Sequence, residues 1–366
     1  MLVDFVLPVR YPTQKAYGVT VGCTAVEFRR IGSEVRIFSS ASDANTDQFG
    51  SPVISLEATN SLKLFSRLPR FSYLLSQLQF LHKYLSLTRN TVLPDLVWTR
   101  SSIVAAGVRL INRKSLVVLE LHDSRIKSDH FFYKFMHRSD KIIFGFLTKT
   151  NEKNFQSAGL AKLGCILPMA APYYFFRTTH VQELERNVAF FGKWFTNGED
   201  NNLHLLVESF LKSISRNSPF KLILIGLESS KMVEICELFT NLGIPEGLWE
   251  IRAHLSHENL AKEISKVNCG VIPYADTPFN NERFPIKLVE FAAARVPILI
   301  SDIPSHRLLI PQDGALFFKP DSESLLEAIN LRYSDLLNTE QRTEWAYKWS
   351  GSYTYETRVK TVLQFL

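Results

Sequence analysis

The stretch Glu282-Arg-Phe-Pro-Ile-Lys-Leu-Val-Glu290 runs on into Phe291-Ala-Ala-Ala-Arg-Val-Pro297-Ile-Leu-Ile300. Its two carboxylates stand eight positions apart. Glu282 follows a polar segment, Asp276-Thr-Pro-Phe-Asn-Asn281, that reads as a loop. Glu290 lies in an apolar run at helical spacing (Ile286, Leu288, Val289, Phe291, Ala292), which Pro285 can open at its first turn. Val296 to Ile300 then reads as a buried strand. The local expectation is loop, helix, strand, with one carboxylate at the helix mouth and the other about a turn inside.

A helix N-terminus offers free N–H groups and a partial positive charge, and both favour a diphosphate. A carboxylate inside that helix can accept hydrogen bonds from two ribose hydroxyls. A carboxylate ahead of it can do the same for the hydroxyls of a second sugar. The pattern therefore suits a nucleotide sugar. The bare spacing is also that of a solvated helix face, and roughly one such pair arises by chance in a chain this long. The flanking residues carry the reading.

With Ala292 to Ala294 and Pro297, this stretch resembles the retaining glycosyltransferases of family 4, whose C-terminal domain carries Glu-x7-Glu, an Ala-rich helix and a Val-Pro strand. The likeness extends more loosely over nearly the whole chain. It implies the GT-B fold: α/β, two Rossmann-like parallel-sheet domains facing a cleft, with a C-terminal helix crossing back to the N-terminal domain. It also implies Glu290 for the ribose and Glu282 for the donor-sugar hydroxyls. Many members have glycines after the first Glu, where this chain has Arg283 and Pro285.

At 366 residues, two domains are expected, each with its own core. The opening Met-Leu-Val-Asp-Phe-Val-Leu-Pro has an acid and no basic flank, so it reads as a first strand rather than a signal peptide. No apolar run approaches the ~20 residues of a membrane span. Cys23, Cys165, Cys236 and Cys269 are far apart and read as reduced core thiols of a cytoplasmic protein. Residues 1–170 hold 22 Lys and Arg against 12 Asp and Glu, a net +10, while the remainder nets −4. The two halves therefore imply different partners.

In the first half, candidate strands at Leu2–Leu7, Glu34–Ser39, Asp95–Thr99, Leu116–Leu121, Lys141–Phe146 and Gly164–Leu167 alternate with helical patterns at Val19–Ile31, Leu62–Leu87, Ser101–Asn112 and Phe131–His137. Such alternation predicts a mostly parallel sheet, with ligands beyond the carboxyl ends of its strands. Tyr17-Gly18 precedes the first helix. The resemblance makes this a turn where backbone approaches a substrate; an ordinary strand-to-helix loop is the other reading of Gly18. Glu120-Leu-His122-Asp123 follows a strand and resembles the family's strand-end His near the donor sugar. An imidazole there can hydrogen-bond a sugar hydroxyl, or it can be a satisfied structural His. Leu62–Leu87 mixes Lys63, Arg67, Arg70, Lys83 and Arg89 with many Leu, Phe and Tyr. Such a helix either lies in an anionic membrane interface or packs on the core with its cations snorkelling.

Pro168 and Pro172 mark a linker, and Tyr173 to Glu185 is polar and irregular. The domains expected are 1–170 for the acceptor, 171–350 for the nucleotide sugar, and 351–366 as a terminal helix packing back on the first. The second domain opens with the strand Asn187–Phe191 and Gly192-Lys193. In the resembling family a Gly-Arg pair stands here and a Lys follows, both cations contacting the donor diphosphate. Lys193 takes the Arg position, and Arg283 or Lys287 could supply the second charge. An unpartnered surface Lys is the alternative for Lys193. Strands at Lys221–Ile225, Trp249–Ala253 and Cys269–Pro273 follow, with Ser256 as a helix cap, a helix at Glu323–Leu331, and a terminal helix from Tyr353.

Asp-x-Asp is absent from the sequence, and so are a GxxxxGKS loop and a Cys/His cluster. Metal chelation of a diphosphate, P-loop chemistry and a zinc site are thereby disfavoured. The expectation is a glycosyltransferase that takes a nucleoside-diphosphate sugar and a saccharide or lipid-linked acceptor, without a metal cofactor. It is cytoplasmic, with a possible anionic-membrane contact at the inner face and no nucleic-acid partner. A GT-B sugar-nucleotide epimerase or a catalytically silent sugar-binding subunit is the alternative.

Overall fold

The computed structural model describes residues 1–13, 15–42, 44–56, 69–89, 91–122, 126–160, 164–179, 186–196 and 198–366, with backbone only at 69–71 and 126–129. The chain forms two compact units, Met1–Pro168 with Tyr355–Leu366, and Met169–Thr354.

The first unit runs β1 (Leu2–Arg10), α1 (Ala16–Arg30), β2 (Glu34–Ala41), β3 (Val53–Ser55), α2 (Pro69–Thr88), β4 (Leu96–Thr99), α3 (Ser102–Ile111), β5 (Leu116–Leu121), α4 (Ile126–Met136), β6 (Ile142–Phe146), α5 (Lys149–Ser157) and β7 (Gly164–Ile166). All seven strands are parallel, in the order β3-β2-β1-β4-β5-β6-β7. Helices cover both faces, so the strands are apolar on both sides. Val3, Phe5 and Leu7 of β1 join Phe28 of α1 and Trp98 of β4 in one core. Val6 joins Phe80 and Tyr84 of α2 and Phe144 of β6 in the other. The buried Asp4 is held by Arg36 Nε at 2.7 Å and the Tyr84 hydroxyl at 2.8 Å.

The second unit runs α6 (Tyr173–Phe176), β8 (Asn187–Phe191), the hairpin β9 (Phe195–Thr196) and β10 (Glu199–Asp200), α7 (His204–Ser215), β11 (Lys221–Ile225), α8 (Ser229–Asn241), β12 (Trp249–Arg252), α9 (His257–Ile264), β13 (Gly270–Ile272), α10 (Pro278–Glu282), α11 (Ile286–Ala293), β14 (Ile298–Ser301), α12 (Pro304–Leu309), β15 (Leu316–Phe318), α13 (Ser322–Ser334) and α14 (Leu336–Ser350). Its main sheet is parallel, ordered β12-β11-β8-β13-β14-β15. The order reverses between β8 and β13, and such a switch point opens a crevice at the strands' carboxyl ends. The chain then returns to the first unit as α15 (Tyr355–Leu363), which packs on α1 and places Val359 and Val362 in its core.

Several expectations need correction. Gly18 does not precede α1 but lies in its first turn, because the helix starts at Ala16. Glu282 does not sit in a loop: Pro278 and the Thr277 cap, whose hydroxyl accepts from Asn280 N at 3.2 Å, wind a helical turn that ends on it. Tyr173 begins the helical turn α6, whereas 180–185 lie outside the described residues. Of the helix expected over Leu62–Leu87, the described residues give Pro69–Thr88; Lys63 and Arg67 lie outside the described residues. It buries Phe80, Leu81 and Tyr84 and exposes Tyr73, Leu78 and Leu87. No helix among the described residues is long and apolar enough to cross a membrane.

Candidate functional site

The switch point of the second unit gathers charge. β8 runs directly into Gly192, whose φ of +139° is a conformation that residues with a Cβ rarely adopt. A Cβ there would stand 2.7 Å from both Cε and Nζ of Lys287, so the ammonium rests against bare backbone. Lys287 comes from the first turn of α11, whose N-terminus no side chain caps. β13 leads directly to Tyr274, which is buried. The Arg283 guanidinium lies 3.5 Å over the Tyr274 ring, and its Nη2 donates to Asn201 Oδ1 at 2.9 Å. Asn201 in turn donates from Nδ2 to the Lys193 carbonyl at 2.7 Å. Burial works to raise the Tyr274 phenol, but the Arg283 and Lys287 charges outweigh it and hold the group below its usual range. Lys287 at a helix N-terminus thus meets Gly192, while Arg283, stacked on the acidified Tyr274 phenol, reaches the neighbouring Lys193 backbone through Asn201.

The Lys193 side chain is exposed and its ammonium has no partner among the described residues. One turn deeper in α11, Glu290 is buried, with Oε1 3.1 Å from His257 Nε2. His257 opens α9, capped by Ser256, and its Nδ1 lies 3.2 Å from the Tyr174 hydroxyl. Glu282 is half-buried at the end of α10. Behind Tyr274, the buried His306 holds the Ser301 carbonyl at 2.8 Å from Nδ1, and burial drops its pKa to about 4.

His122 follows β5 in the first unit. Its Nε2 lies 2.6 Å from Glu120 Oε1. Glu120 is fully buried, receives Trp98 Nε1 at 2.8 Å and Arg100 Nη2 at 2.9 Å, and forms an ion pair with Arg358 Nη2 at 3.0 Å. Burial alone would raise this carboxyl; Arg100, Arg358 and His122 instead hold it well below the usual range. Gly18 faces Thr13: a Cβ would stand 2.2 Å from the Thr13 carbonyl oxygen, so glycine is required there by packing.

The structure therefore brings Lys287 against Gly192, links Arg283 to the Lys193 backbone through Asn201, and sets the Glu290 carboxylate 3.1 Å from His257. His122 and Gly18 belong to the other unit. Tyr274, Asn201, His257, Glu120, Arg100 and Arg358 were not singled out from the sequence. The strand-end position of Tyr274 was a usable signal; nothing local marks Arg358, which comes from the far end of the chain.

Residues 185–335 match the family model described as glycosyl transferases group 1. No curated protein matches the chain. Solved structures are similar over nearly its full length. Sucrose-phosphate synthase from Thermosynechococcus elongatus superposes with a TM-score of 0.74 at 14% identity, covering 99% of this chain and 97% of that one. A glycosyltransferase from Rickettsia africae gives 0.74 at 12% identity, covering 99% and 96%. Anabaena HepE in complex with UDP-glucose gives 0.72 at 14% identity, covering 100% of both chains. The two parallel-sheet units have the GT-B fold, and the second carries the glycosyl transferases group 1 match.

Proposed function

We propose that the protein is a retaining glycosyltransferase that moves a sugar from a nucleoside-diphosphate sugar to a hydroxyl of a saccharide or lipid-linked acceptor, without a metal ion. The observation that carries this reading is the cluster at the switch point, with Lys287 against Gly192 and Arg283 over a Tyr274 phenol that both cations hold down. A diphosphate needs charge neutralisation as its ester bond breaks. Guanidinium, ammonium and helix N-terminus supply it from fixed positions. In this reading Glu290 shares its carboxylate between His257 and the ribose hydroxyls, Glu282 takes donor-sugar hydroxyls, and His122 serves a sugar hydroxyl at the reacting centre. Lys193, flexible and exposed, closes on the diphosphate from the β8 side. The acceptor oxygen bonds the anomeric carbon, the bond to the diphosphate oxygen breaks, and the hydroxyl proton leaves on the diphosphate. Retention rests on the sequence resemblance.

For the acceptor, a lipid-linked molecule is favoured by the first unit's surface. Tyr73, Leu78, Phe131 and Phe135 are exposed on α2 and α4 in the half of the chain that nets +10. We place the protein in the cytoplasm, peripheral at an anionic inner membrane face.

Incubation with a panel of nucleotide sugars, without acceptor, tests the reading. HepE is described with UDP-glucose, so uridine diphosphate sugars come first. Slow release of nucleotide from one donor is the expected result. An isomerised donor would instead identify an epimerase, and no binding of any donor a silent subunit.

A further inference from the structure

The first unit holds a buried charge network behind His122. Glu120 is 2% exposed; its Oε1 accepts from Arg100, contacts His122 and is ion-paired with the Arg358 guanidinium, and its Oε2 accepts from Trp98. The partners come from distant chain segments: Trp98 from β4, Arg100 just beyond it, and Arg358 from α15. Arg358 is 1% exposed and also donates from Nη1 to the Leu167 carbonyl at 2.6 Å.

A guanidinium stays protonated throughout the physiological range. With two of them on its carboxylate, Glu120 remains ionised and is an acceptor only. The proton in the 2.6 Å contact must therefore belong to the imidazole, on Nε2. Burial and the Arg100 charge resist a second proton on the ring. Nδ1 is then a bare lone pair, and it finds no partner among the described residues, while the side chain remains 30% exposed.

We propose that Glu120, braced by Arg358 of the C-terminal helix, is a positioning residue that locks His122 as the neutral Nε2–H tautomer and presents Nδ1 as the acceptor for a substrate sugar hydroxyl. The role of Nδ1 rests on the glycosyltransferase reading; the tautomer does not. The C-terminal helix thus contributes a charge to the site as well as apolar cover for α1.

Two measurements test it. In the first, the imidazole nitrogens of ¹⁵N-labelled full-length protein are correlated with ring protons at pH 7, with His122 assigned by comparison with His122→Asn. The expected pattern is protonated Nε2 and unprotonated Nδ1. Protonated Nδ1, or a charged ring, overturns the proposal whether or not any donor is turned over. In the second, donor turnover is compared between variants. The Asn side-chain oxygen reaches the place of Nδ1, and the Gln side chain the place of Nε2. His122→Asn should keep turnover within about tenfold of the parent, and His122→Gln should lose about a hundredfold or more. The reverse ranking overturns the assignment of Nδ1. Glu120→Gln should lower kcat at unchanged nucleoside-diphosphate affinity and leave His122 as a mixture of tautomers. Should that variant not fold, Trp98→Phe removes the Oε2 donor alone and should shift the tautomer balance less. An unaltered His122 pattern in a folded Glu120→Gln protein contradicts the positioning role. If no donor is turned over, the parent glycosyltransferase reading fails, and the spectrum still judges the tautomer.

Discussion

The Lys287 ammonium rests against the Cα of Gly192, so closely that a Cβ on that glycine would stand 2.7 Å from Nζ. This contact joins the end of β8 to the first turn of α11 and defines where a diphosphate is expected. Gly192→Ala must displace a flexible side-chain end and hold alanine at φ +139°. The backbone strain costs on the order of 1–3 kcal/mol. Nucleoside-diphosphate affinity should also fall about tenfold, while Lys287→Ala should lose a similar affinity without the stability cost. Paired calorimetry and denaturant titration of the two variants check this.

Glu290→Gln keeps size but removes the charge that faces His257 and, in the proposed function, the ribose. Hydrogen bonds to a charged group contribute about 1.5–3 kcal/mol, or one to two decades of nucleotide affinity. Glu282→Gln should spare free nucleotide binding and impair transfer from the intact donor. Titration of both variants with nucleotide, and turnover of the donor, separate the two roles. Equal nucleotide affinity in both and the parent would displace the site from α11.

Stability should fall between pH 6.5 and about 4. The buried His306 has a pKa lowered to about 4, against 6.5 in an unfolded chain. Over that window the unfolded state binds a proton that the folded state refuses, so its contribution is complete above pH 6.5 and is lost as pH falls. The span corresponds to on the order of 3 kcal/mol. His122, also lowered, acts in the same direction. Denaturation midpoints at pH 7 and pH 5 should differ, and less so for His306→Gln.

Transfer should persist in a strong chelator, since fixed cations replace the metal in the proposed chemistry. Loss of activity in chelator, restored by magnesium or manganese, would reverse that view. At low salt the protein should sediment with anionic vesicles and be released as salt rises, because each basic residue near the surface contributes about 1 kcal/mol, screened within about 10 Å at 0.1 M. Lys134→Gln with Phe131→Ser, both exposed on α4, should weaken sedimentation. Protein left wholly in the supernatant would direct the search to soluble acceptors.

Much of this architecture was legible from apolar strands. Leu116–Leu121, Asn187–Phe191 and Lys221–Ile225 are recognisable because buried parallel strands are near-continuous apolar runs. The three-residue β3 and the polar α5 were missed, since neither carries enough periodic apolar signal. At the candidate site, Lys287 and Arg283 were legible because they flank a helix N-terminus. The Glu120 network was not: Trp98 and Arg100 reach it from the end of β4, and sequence spacing carries no trace of a contact between Arg358 and a strand more than two hundred residues earlier.

The central claim is a diphosphate site built by Arg283 and Lys287 at Gly192. Titration calorimetry with UDP, GDP, ADP and TDP addresses it most directly, using the full chain and its Arg283→Ala and Lys287→Ala variants. The account predicts micromolar binding of at least one nucleotide, with affinity lower by about tenfold or more in each variant. Binding by none of the four, or equal binding by all three proteins, would contradict it.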